Sequence, residues 1–102
     1  MIVSVIYPKT PTSTFDHDYY VKTHMPLVDH YWGHHGLVSV KVLRGVGSLS
    51  GTADFELIAL LEFESHEAFL EAAGAHADDV LADVPHFTNV QPLVQFNEPV
   101  TP

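Results

Sequence analysis

The segment FDHDYYVKTHMPLV, residues 15–28, carries the residues best placed for chemistry. Histidine is the side chain whose ordinary pKa, near 6.5, lets it take and return a proton around neutral pH. Turned as a helix at ~100° per residue, Tyr20, Val21, Met25, Leu27, Val28, Tyr31 and Trp32 fall in one arc, and His24 lies in its middle. His17 sits one step to the side. Asp16, Asp18, Lys22, Thr23, Asp29 and His30 fall outside the arc, as do Phe15 and Tyr19 at the first turn. A stripe of this kind faces a core. A polar group buried there without a partner costs of order 1–3 kcal/mol. His24 must therefore find a hydrogen bond, a carboxylate, a water or a ligand. Two readings stand: a core histidine tied to a main-chain carbonyl, or a proton-transfer group in a pocket.

Pro26 follows two residues later. It lacks an N–H, and its ring crowds the carbonyl four residues back, that of Lys22. A helix opened there holds its wall away from whatever it covers. A space beneath it would be walled by aromatic side chains around one titratable ring, a composition that suits a small-molecule site.

Other constellations have simpler readings. His30 and His34 stand four apart with His35 beside them, but Gly33 intervenes and no third ligand is in register, so a metal site is not expected. The serines read as strand, turn or cap residues, and no G-x-S-x-G elbow occurs. GVGSLSG lies before a strand, whereas a phosphate cradle needs a helix to follow. Asp78, Asp79 and Asp83 read as the wet face of a second helix.

The elements that must position these groups follow from the patterning. MIVSVIYP is a β-branched strand stopped by Pro8. Ser13 or Thr14 can cap a helix from about Phe15 to about Trp32, with Gly33 and Gly36 ending it. Strands start at Leu37 and at Phe55. Ser65 caps a second helix over residues 66–83, with a bend expected near Gly74 and an end at Pro85. A last strand starts at Val90. The order β-α-β-β-α-β predicts an α+β, ferredoxin-like fold in one domain spanning residues 1–102. Phe55, Leu57, Ala59, Leu61 and Phe63 form one strand face, yet Ile58 and Leu60 centre the other. Helices cover only one face of such a sheet, so the second predicts a cover, and a second copy packed sheet on sheet in a two-fold homodimer supplies it.

Composition narrows the classes. The 102 residues include 46% apolar residues, no cysteine, and 13 acids against 4 bases for a net charge of -9. The few scattered cations exclude the basic footprint that nucleic acid or an anionic membrane needs. The lack of cysteine removes disulfides and thiolate sites. No run approaches the ~18 apolar residues of a membrane span. A soluble, cytoplasmic protein is expected, and no cofactor motif is visible.

FDHDYYVKTHMPLV also resembles the signature of the EthD family of small bacterial proteins, through Phe15, Tyr19, Tyr20, His24 and Pro26. DVPHFTN, residues 83–89, is similar to the family's later motif at Asp83, Pro85 and Phe87. The resemblance spans essentially the whole chain. It implies a dimeric α+β barrel of two ferredoxin-like subunits and a place in small-molecule catabolism. The family is named for ether degradation alongside a cytochrome P450 system, and its members are commonly described as oxidoreductase-related. Similar barrels include cofactor-independent monooxygenases and a lactone isomerase. The resemblance makes His24 the expected catalytic residue. The expected substrate contacts are Tyr7, His17, Tyr20, Tyr31 and Phe87. The ligand expected is a small apolar, cyclic or aromatic compound. The competing expectation is a non-catalytic accessory protein that binds a hydrophobic intermediate for a partner oxidase.

Overall fold

The computed structural model describes residues 1–101. Strand β1 (Ile2–Pro8) leads to a helical rod over residues 17–32, made of α1 (His17–Tyr19), a π-helical turn (Tyr20–His24) and α2 (Met25–Trp32). Strands β2 (Leu37–Arg44) and β3 (Phe55–Phe63) form the central hairpin. Helix α3 (His66–Ala82), a short 3-10 turn (Val84–His86) and β4 (Leu93–Asn97) complete the order. The strands form one antiparallel sheet in the order β2-β3-β1-β4. This is the ferredoxin-like α+β fold read from the sequence.

Cross-strand register settles which residues share a face. Val3 lies opposite Leu61 and Phe96, and Val5 lies opposite Ala59 and Val94. Those positions face the helices, and Val3, Tyr7, Leu57, Ala59, Leu61 and Phe63 are buried there. The alternate positions pair Ile6 with Ile58 and Leu93, and Ser4 with Leu60 and Gln95. That face has no helix over it. Its central Ile6, Ile58 and Leu60 are only partly buried, by the neighbouring strands.

The rod departs from the expected regular helix in an informative way. Its cap is Asp16, whose carboxylate accepts from the Tyr19 N–H at 3.0 Å, and not Ser13 or Thr14. Ser13 closes a local turn with Thr10, while the Thr14 N–H is held by Asn89 across the fold. Just before Pro26 the helix widens, and the Met25 N–H bonds the Tyr20 carbonyl five residues back. A wide turn accommodates a proline ring that an α-turn would drive into the Lys22 carbonyl. It also shifts the buried row to a spacing of four: Tyr20, His24, Val28 and Trp32 are buried, whereas Val21 is mostly exposed.

Three other boundaries differ from expectation. Helix α3 runs unbroken through Gly74. Strand β2, which the sequence suggests over the run LVSVKVLRGVGS from Leu37, ends at Arg44, before the glycine-rich loop. Strand β4 starts at Leu93 and not Val90, because Pro92 has no N–H to join the ladder. Gly36, after α2, holds a φ of 88°, and a Cβ there would lie 2.8 Å from that of Ala68. Only glycine meets both demands cheaply.

Candidate active site

His24 is 3% exposed and faces the sheet from the π-turn. Its protein partner is not a main-chain carbonyl. Nδ1 lies 2.9 Å from Oδ2 of Asp83. The ring stacks obliquely on Phe87, with centroids 4.6 Å apart, and on Tyr20 at 5.2 Å.

Asp83 is a correction to the sequence reading. It does not belong to the wet face of α3. It is the C-cap residue of that helix and is 9% exposed. Beyond the helix end the chain turns inward, so helical periodicity ceases to describe which way the side chain points. Oδ1 of Asp83 accepts from the Tyr19 hydroxyl at 2.6 Å. Tyr19, placed outside the apolar arc by the wheel, therefore reaches back under the rod. Phe15 does too, with its ring 5.3 Å from those of Tyr7 and Phe87.

The segment DVPHFTN acquires a physical role at most of its positions. Asp83 holds His24, and Phe87 flanks its ring. The Phe87 carbonyl accepts the Asp16 N–H at 2.7 Å. The Thr88 hydroxyl donates to the Thr14 carbonyl at 2.7 Å, and the Asn89 side chain bridges Thr12 and Thr14. The end of α3 is thus laced to the start of the helical rod, which fixes Asp83 beneath His24.

The electrostatics assign the proton. Burial raises the cost of charge on Asp83, but hydrogen bonds from Tyr19 and His24 outweigh it and hold the carboxyl below its usual range. An ionised carboxylate only accepts, so Nδ1 of His24 carries the hydrogen. Burial also pushes His24 below its ordinary pKa, against the pull of Asp83. The ring is therefore neutral near pH 7, and Nε2 presents a lone pair. Tyr7 and Tyr20 are pushed well above the usual phenol range, mainly by burial. Both remain neutral hydroxyls.

These groups meet at a cavity. A space of about 120 Å³ lies between the helices and the sheet, walled by Tyr7, Tyr20, His24, Val28, Leu61 and Val80 among others. Among the described residues, Nε2 of His24 and the hydroxyls of Tyr7 and Tyr20 have no hydrogen-bond partner. Yet no side-chain nitrogen or oxygen is both sealed and unpartnered. All three atoms therefore keep some accessible surface, and all three residues line the cavity. An apolar chamber with three unpaired polar atoms is a site for a small molecule that carries an oxygen.

The remaining expected site residues lie elsewhere. Phe87 supports the His24 ring but is not part of the cavity wall. The Nε2–H of His17 donates to Glu56 Oε1, 2.7 Å away, beside a separate polar cleft that includes Arg44. Tyr31 packs on His76 at 4.6 Å and is not part of the cavity wall. The π-turn accounts for Tyr31: the buried row steps by four to Trp32, whose indole N–H bonds the Ala72 carbonyl at 2.9 Å. Among the described residues no three side chains of metal-ligating type come together, so His30, His34 and His35 form no such group. No helix of the structure is long and apolar enough to cross a membrane.

Comparison with solved structures places this geometry in a known group. The fold matches an EthD-like protein from Ralstonia eutropha JMP134 at a TM-score of 0.84 and 29% identity, covering 92% of this chain and 86% of that one. In fold and in sequence the chain is similar to that EthD-like protein. An ethyl tert-butyl ether (EthD) family protein from Bacillus halodurans C-125 matches this chain at a TM-score of 0.72 and 22% identity, over 95% of this chain and 97% of that one. HapK from Hahella chejuensis matches at 0.54 and 15%, over 99% and 96% of the two chains. These two likenesses speak for the shared fold. No family model matches the chain, and no curated protein does.

Proposed function

We propose that this chain is an EthD-like enzyme of small-molecule catabolism in which His24 moves a proton on a small, largely apolar cyclic compound. The observation that carries this reading is Nε2 of His24, left without a protein partner at an apolar cavity while Asp83 holds Nδ1. Asp83 fixes the tautomer and stabilises the imidazolium that forms, with Tyr19 holding Asp83 in place. Nε2 takes a proton from a carbon next to a carbonyl, or from a phenol. The C–H or O–H electron pair stays with the substrate as an enolate or phenolate. The Tyr20 or Tyr7 hydroxyl, neutral and unpaired, donates to the oxyanion. Return of the proton to a different carbon completes an isomerisation, as in a lactone isomerase. Attack of the carbanion on dioxygen as co-reactant begins a cofactor-independent oxygenation, the oxidoreductase-type alternative.

The test is proton exchange in deuterated water on enolisable ring ketones such as cyclohexanone and 2-tetralone, followed by NMR. His24→Asn keeps a donor near the Nδ1 position and removes Nε2. Exchange catalysed by the wild type and lost in this variant, with binding kept, supports the reading. Equal exchange by both proteins overturns it.

A non-catalytic carrier for a partner oxidase uses the same chamber, and its largely apolar walls are what favour that second reading. A carrier's His24→Asn variant changes affinity alone. For either reading, the uncovered sheet face of Ile6, Ile58 and Leu60 supports a homodimer packed sheet to sheet, with the cavities on the far, helical side of each subunit.

A further inference from the structure

The cavity beside His24 is small for an independent ligand site. An aliphatic and aromatic cavity of roughly 150 Å³ just holds benzene, and this one measures about 120 Å³. Leu81, Val84, Pro92 and Val94 form part of its wall, and the same four residues also line an outer groove of about 490 Å³. The two spaces therefore abut across these side chains, between the last turns of α3 and the lead into β4.

The two compartments differ in chemistry. The inner one holds the three unpaired polar atoms of His24, Tyr7 and Tyr20. In the groove, Thr88 and Asn89 are already committed to Thr14 and Thr12, and Pro92 has no N–H. The groove offers mainly apolar contact. Leu81 and Val94, at the junction, are each 51% exposed, apolar surface left open where the compartments meet. Val94 lies opposite Val5 on the helix-facing side of the sheet, while Leu93 opposite Ile6 faces the other way. A partner on the uncovered sheet face would leave this mouth open.

We infer that the ligand is an elongated, two-part molecule: one ring with a hydroxyl or carbonyl enters the inner cavity, and an apolar tail lies in the groove over Leu81, Val84, Pro92 and Val94. This rests on the reading of the inner cavity as the ligand site and adds the class of molecule that it takes. A molecule of one ring alone leaves the exposed apolar mouth unused. A molecule of two bulky rings cannot seat both inside.

The test compares phenol with 4-hexylphenol by calorimetry and by amide shifts, at a pH above 7. The tail should improve affinity at least roughly tenfold. Its added shifts should fall at residues 81–84 and 90–94. Val90→Glu and Gln91→Glu place charge at the groove side of the mouth, on residues that line the groove and not the inner cavity. Each should remove most of the gain from the tail while changing phenol affinity less than about threefold. Retained far-UV and thermal signatures establish folding. Equal affinity for the two phenols, an equal loss of both in the mouth variants, or tail shifts at Ile6, Ile58 and Leu60 would overturn the inference. The His24→Asn variant separates the two claims. Tail-dependent binding that persists while exchange fails in every protein sinks the catalytic reading and leaves the two-part ligand standing.

Discussion

His24 and Asp83 are separated by 59 positions in the chain and meet at 2.9 Å, each almost wholly buried. The carboxylate sits at the end of one helix and the imidazole in a wide turn of another. Their contact joins the two halves of the fold at the floor of the cavity.

Asp83→Ala should cost roughly 1–3 kcal/mol of stability, because it leaves the Tyr19 hydroxyl and Nδ1 of His24 without their shared acceptor. Urea unfolding measures the loss. Nitrogen-15 NMR of the His24 ring should show the hydrogen no longer confined to Nδ1. An unchanged tautomer would mean that Asp83 does not set it.

Tyrosine hydroxyls should sort by their partners. Tyr7→Phe and Tyr20→Phe remove groups that bond nothing in the protein, so stability should change by less than about 1 kcal/mol. Tyr19→Phe breaks the 2.6 Å bond to Asp83 and should destabilise the fold more than either. Affinity for ring ketones and phenols should fall in the Tyr7 and Tyr20 variants despite their intact folds. The reverse ranking in unfolding experiments would contradict the bonding described above.

Acid should weaken the fold through both members of the pair. The folded pKa of His24 lies below its unfolded value near 6.5. The neutral ring's contribution is complete above that value and is lost as pH falls through the lowered one. Asp83 is also depressed, so its contribution is present above about 4 and is lost as pH falls through its own folded pKa. Unfolding at pH 7.5 and pH 5 should show a smaller decline for His24→Asn than for the wild type. Proton exchange should fall on the acid side along a limb below 6.5.

Ala77→Leu tests the cavity by filling it. Ala77 is part of the wall. In a true void the larger side chain should be neutral or add up to about 1 kcal/mol, and it should exclude phenol. In solid packing it would cost about 1–3 kcal/mol. Thermal unfolding and calorimetry on one sample distinguish the two.

Ile58→Asp tests the uncovered face. The residue lies opposite Ile6 and Leu43, away from the helices and the cavity. Sedimentation should show dimers of the wild type at micromolar concentration and monomers of the variant. A monomeric wild type would remove the proposed cover.

Alternating apolar residues and helix caps were sufficient to read β-α-β-β-α-β, because strand and helix periods are local properties of a chain. His24 was legible as an inward-facing ring for the same reason. Asp83 was not. Its position at a helix end, where periodicity stops, made it look like one more acid of a solvated face. Val21 and Tyr31 were misplaced because one wide turn at Pro26 shifts the phase of everything near it. Local patterning is enough for the order of elements and the face on which the imidazole lies. Its partner, its free nitrogen and the two adjoining compartments exist only in the folded chain. Those depend on contacts between segments that are far apart in the chain, and no local period encodes them.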